Sequence, residues 1–64
     1  MKLWVARDWS GLWLYTTKPL FNPDKNEFES EDGNMLYIND DKLFPEVTFE
    51  NSPQEVELKL VKEE

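Results

Sequence analysis

Neither cysteine nor histidine occurs in the 64 residues. The first absence removes disulfides and thiolate metal sites, and the second removes the commonest general base and metal ligand. A chain of this length buries only about 60% of the surface its unfolded form exposes, so an apolar core alone must supply a marginal stability. A deep catalytic cleft is hard to build at this size. Basic residues are scarce too, seven lysines and arginines against fourteen acids, for a net charge of -7. No apolar run approaches the roughly 18 residues of a helical membrane span. The N-terminus lacks the basic region followed by an apolar stretch that marks a secretory signal, which places the chain in the cytoplasm with no membrane partner.

Aromatics are what the chain does have, and all three tryptophans fall within Lys2–Thr17. Two runs rich in β-branched and aromatic residues flank Asp8-Trp9-Ser10-Gly11, which predicts a hairpin with a type I turn and a glycine bulge. With a three-residue loop, Val5 faces Tyr15 and Ala6 faces Leu14. One face then carries Leu3, Val5, Trp13 and Tyr15, and the other Trp4, Ala6, Leu12 and Leu14. A two- or four-residue loop would re-pair these side chains, because a one-residue slip moves a whole strand to the other face. Both faces are apolar in every register, so something must cover each of them. The favoured register puts Trp4 and Trp13 on opposite faces, one in the core and the other substantially exposed.

Beyond Thr17, Pro19 and Pro23 mark a connecting loop through Asp24. Asp32-Gly33 between Glu27–Ser30 and Met35–Ile38 predicts a second hairpin, with Phe28 opposite Tyr37. Asn39–Pro45 reads as one short helical turn with Asp40 as N-cap and Leu43 and Phe44 plugging an end of the sheet. Glu46–Glu50 and Glu55–Leu60 alternate polar with apolar and predict a last hairpin, one face holding Val47, Phe49, Val56 and Leu58, the other Glu46, Glu50, Glu55 and Glu57. Val56, Leu58 and Leu60 form a one-sided apolar series expected in the core. The whole of 1–64 is therefore expected to be a single all-β domain, a mainly antiparallel meander of five to six strands curling into a half-open barrel, with one short helical turn.

Leu3-Trp4-Val5-Ala6-Arg7-Asp8, Leu12-Trp13-Leu14-Tyr15 and Leu43-Phe44-Pro45-Glu46-Val47 resemble a group of short uncharacterised bacterial proteins, many of them near mobile elements in gut bacteria. The resemblance covers both ends of the chain and not its acidic middle. It implies a compact domain of unknown function and carries over no site residue.

The chemistry-bearing constellations are thin. Glu29, Glu31, Asp32 and Asn34 around Gly33 lack the terminal acid that a calcium loop places in register. The pairs Asp40-Asp41 and Glu55/Glu57 have no apolar cleft to raise a carboxyl pKa. There is no nucleophile with a base and no phosphate-cradling glycine loop, so no catalytic activity and no cofactor are expected. Direct nucleic-acid binding by stacked aromatics is disfavoured, since a charge of -7 repels phosphates. Two functions remain. In the first, an exposed aromatic hairpin face built from Trp4, Trp9, Trp13 and Tyr15 meets a protein partner, a second copy of the chain being one candidate. In the second, Glu46, Glu50, Glu55 and Glu57 form an acidic face that imitates nucleic acid and blocks a basic groove of a DNA- or RNA-handling enzyme.

Overall fold

The computed structural model describes residues 1–61 and contains six strands: β1 (Lys2–Asp8), β2 (Gly11–Tyr15), β3 (Leu20–Asn22), β4 (Glu27–Glu29), β5 (Met35–Ile38) and β6 (Gln54–Glu57). All pairings are antiparallel. Four strands form one sheet in the order β5-β2-β1-β6, and β3 with β4 forms a second, two-stranded sheet. The all-β antiparallel class and the strand number agree with the sequence expectation. The larger sheet stays open at both sides and does not close into a barrel.

The first hairpin forms, but one residue out of the expected register. Val5 lies opposite Leu14, Ala6 opposite Trp13 and Asp8 opposite Gly11, leaving only Trp9 and Ser10 in the loop. The cause is the Asp8 side chain, whose Oδ1 accepts from the Ser10 N–H at 2.9 Å and from its hydroxyl at 2.5 Å, closing the turn early. Gly11 follows at φ +122. The slip reverses the faces of β2. Leu3, Val5, Arg7, Leu12 and Leu14 now share one side, hereafter the leucine face, with Ile38, Leu36 and Val56 from the flanking strands. Trp4, Ala6, Trp13 and Tyr15 share the other, the tryptophan face, so Trp4 and Trp13 are neighbours and not opposed.

Each face has its own cover. On the leucine face, Val5 and Leu12 are fully buried beneath Val47, with Phe44, Leu14, Ile38 and Val56 around them. On the tryptophan face, Ala6 and Tyr15 are buried beneath Phe28 of β4. Phe28 forms a cross-strand pair with Phe21 of β3, and Phe49 joins both edge-on at 5.6 and 6.3 Å between centroids.

Further expectations are corrected. Residues 18–24 are not a plain loop, because Leu20–Asn22 pairs with Glu27–Glu29; a three-residue edge strand flanked by prolines is compatible with their missing donors. Glu27–Ser30 does not pair with Met35–Ile38, since β4 goes to β3 and β5 to β2. Asp32 instead ties its turn to β2: its carboxylate accepts from the Thr16 hydroxyl at 2.5 Å, the Asn34 N–H at 2.9 Å and the Ser30 hydroxyl at 2.9 Å. Those three bonds, the Thr16 one foremost, hold its pKa down at about 2.

The segment 39–45 makes turns and no helix. Asp40 does cap it, its Oδ1 accepting from the Lys42 N–H, and Phe44 packs on the core while Leu43 stays exposed. Glu46–Glu50 is not a strand either. Arg7 holds the chain that leads into it, its guanidinium donating to the carbonyls of Val47 at 2.7 Å, Asp41 at 3.2 Å, Leu43 at 3.0 Å and Phe44 at 3.3 Å. These contacts fold residues 41–47 over the end of β1, with Phe44 held at φ +49. Asn51 then locks the loop, exchanging bonds with Thr48 and donating to the Glu46 carbonyl. With its expected partner gone, β6 pairs with β1 instead, and Leu58 and Leu60 lie exposed rather than in the core.

Candidate interaction surface

Main-chain alternation decides which groups of the outer strands are free. Met1 and Leu58 exchange hydrogen bonds at 3.0 and 2.7 Å, and the Arg7 N–H donates to the Ser52 hydroxyl at 2.9 Å. Odd-numbered residues of β1 therefore bond toward β6, and Trp4, Ala6 and Asp8 bond toward β2. In β2 the alternation leaves Leu12 and Leu14 to bond toward β5, where they meet Ile38 and Leu36. It follows that the N–H and C=O groups of Met35 and Tyr37 point out of the sheet. On the far side, the same logic turns the main chain of Glu55 and Glu57 outward.

The β5 edge is uncharged over its whole length, and its residues Met35, Leu36 and Tyr37 are 42%, 64% and 46% exposed. Beside it the leucine face is only half covered. The segment carrying Phe44 and Val47 roofs Val5 and Leu12, while an open groove of about 450 Å³ remains between Leu3, Leu14, Leu36, Met35, Leu58 and Met1. On the tryptophan face the same edge presents Tyr37, whose ring packs against Trp13 at 5.0 Å between centroids. An extended polypeptide laid along β5 would find main-chain partners at Met35 and Tyr37, an apolar groove on one side and an aromatic pair on the other.

The four aromatic residues expected at a binding face are divided by the structure. Tyr15 is 1% exposed and belongs to the core. Burial foremost, then the charges of Asp8 and Glu27, push its pKa up to about 12. Trp4 is half-buried with the Lys18 ammonium 5.5 Å above its ring. Trp13 is half-buried, donates to the Ser10 hydroxyl at 2.9 Å and is the one tryptophan adjoining β5. Trp9 stands 72% exposed at the hairpin tip, its indole N–H donating to the Lys25 carbonyl at 3.2 Å. Sequence reasoning passed over Met35, Leu36, Tyr37 and Leu58 as surface residues. The signal available was a four-residue run without charge or proline, apolar on both faces.

The four glutamates do not form one surface. Glu46 and Glu55 border a depression beside Phe44 and Val47, while Glu50 borders another formed by Pro19, Leu20, Phe21 and Pro53. Glu55 lies 3.9 Å from Lys2, and Glu57 3.9 Å from Lys59. Among the described residues no group of three or more acids is placed to hold a metal ion, and no helix is long and apolar enough to cross a membrane. No family model matches the chain, and no curated protein or solved structure matches it.

Proposed function

We propose that this chain is a non-enzymatic protein-binding module that captures an extended polypeptide segment along the edge of β5. One observation supports it above the rest: an uncharged outer strand with free main-chain groups at Met35 and Tyr37, bordering an open apolar groove, in a chain of net charge -7. Natural sheets ordinarily guard such edges with charge, proline or a bulge, and an unguarded one is a template for another strand. The partner is a protein, and its strand supplies alternate apolar side chains to the groove near Leu14 and Leu36. Of the aromatic residues, Trp13 contributes through its contact with Tyr37.

Panning a display library of random ten-residue segments against the chain tests this. Selected segments should alternate apolar and polar residues and should lose binding to Met35→Pro. That substitution removes an outward N–H at the first strand position and leaves the β2–β5 bonds intact. Segments captured equally by the parent and by Met35→Pro would refute the edge as the binding site.

A further inference from the structure

We infer that the β5 edge also takes β5 of a second copy, paired antiparallel about a two-fold axis through Leu36; this rests on the edge-capture function proposed above. Only Met35 and Tyr37 present main-chain groups outward within the strand, and they are two residues apart. A two-fold antiparallel pair that sets Met35 against the partner's Tyr37 satisfies both residues in both copies at once. In that register Leu36 faces the partner's Leu36 in the close, non-hydrogen-bonded position, where side chains approach most nearly. The two-fold keeps like faces together, so each groove beside Leu3 and Leu14 continues into its counterpart, and the Trp13–Tyr37 pairs line up on the opposite side.

Charge selects this contact over the alternatives. No residue of Met35–Ile38 carries a charge at neutral pH, so self-pairing there opposes no like charges. Pairing β6 with itself would bring Glu55 and Glu57 together with their copies, and like charges directly opposite are destabilising. The contact therefore closes at a dimer and does not propagate. Four strand residues from each copy make a small interface, so the dissociation constant falls on the order of 10–100 μM.

The absence of native cysteine makes a cross-linking test clean. Leu36→Cys should form a disulfide-linked dimer under mild oxidation many times faster than Leu58→Cys, which is similarly exposed but lies across the sheet. Sedimentation of the parent from about 10 to about 300 μM should move from monomer toward dimer, while Leu36→Lys, checked for its fold by circular dichroism, stays monomeric. Equal cross-linking rates at positions 36 and 58, or a parent monomeric throughout, would overturn the self-pairing. A monomeric parent that still selects extended segments, lost in Met35→Pro, would refute the dimer and leave edge capture standing. A monomer that selects none would refute both.

Discussion

Met35–Ile38 and Gln54–Glu57 are both four-residue strands at the outside of one sheet, and both turn two residues' main-chain groups to solvent, yet their surroundings differ in kind. The β6 edge carries Glu55 and Glu57 at its outward positions and begins directly after Pro53. Beyond it the same side of β1 is covered by the turn that Ser52 and Arg7 fasten. The β5 edge has none of these. Strand length and hydrogen bonding are matched, so charge, the flanking proline and the covering turn are what set the two edges apart.

The largest effect should come from erasing that distinction. Replacing both Glu55 and Glu57 by valine gives the sheet two receptive edges, and a chain with two such edges pairs without closure. Light scattering at about 100 μM should then report masses at least about tenfold above the parent. A variant of unchanged mass would break the comparison. Next in size is the clamp behind β6. Arg7→Ala leaves the carbonyls of Asp41, Leu43 and Val47 without their donor and that of Phe44 with the Val47 N–H alone, with an expected loss of about 3 kcal/mol and a fall in Tm of roughly 12–24 °C. Arg7→Lys should recover little, because a single ammonium cannot span the four acceptors.

Side chains at the two edges should matter far less to stability. Leu36→Ala and Leu58→Ala are each expected to cost under about 1 kcal/mol in thermal unfolding, both positions being more than half exposed, whereas Leu12→Ala in the buried core should cost about 2–5 kcal/mol. The finest test is titration. Tyr15 has its pKa raised from 10.0 to about 12 on folding, so its contribution is full below pH 10.0 and is lost as pH rises toward about 12. Tyr15→Phe should abolish that alkaline decline. Asp32 has its pKa lowered from 3.8 to about 2, so its contribution is full above pH 3.8 and fades as pH falls toward about 2. Asp32→Asn should flatten the acid limb and loosen the turn leading into β5.

Much of this fold is legible in the residues. The β-rich runs around Asp8–Gly11 mark the first hairpin, and Met35–Ile38 and part of the 55–60 alternation mark strands. Register is another matter, because it turns on one carboxylate: Asp8 bonding to Ser10 moves every side chain of β2 to the other face. The Glu46–Glu50 alternation fits a strand by pattern alone, yet a cation forty residues away takes up the Val47 carbonyl and Asn51 ties back to Thr48 and Glu46, so the segment turns instead. Leu58 and Leu60 continue the apolar alternation of β6, but pairing with β1 ends at the Met1–Leu58 contact, leaving them outside the core. The candidate surface was legible as chemistry and not as position. An uncharged Met-Leu-Tyr-Ile run is plain to see, yet Asp32-Gly33 assigns it β4 as a partner, whereas the strand pairs with β2 and ends the sheet order, which leaves its outer side free.

Gly11 sits at the join between the hairpin and the β5 edge. A Cβ added there would fall 2.7 Å from Cε1 of the Tyr37 ring, at a φ of +122 that side chains rarely adopt. The bare α-carbon is thus a berth for the aromatic ring, and the ring in turn stations β5 beside the turn. Mutational freedom should divide sharply between the two glycines. Gly33, at φ +79 with open space around it, meets backbone strain alone, least for asparagine, while even alanine at position 11 must also dislodge Tyr37 and with it the outer strand β5.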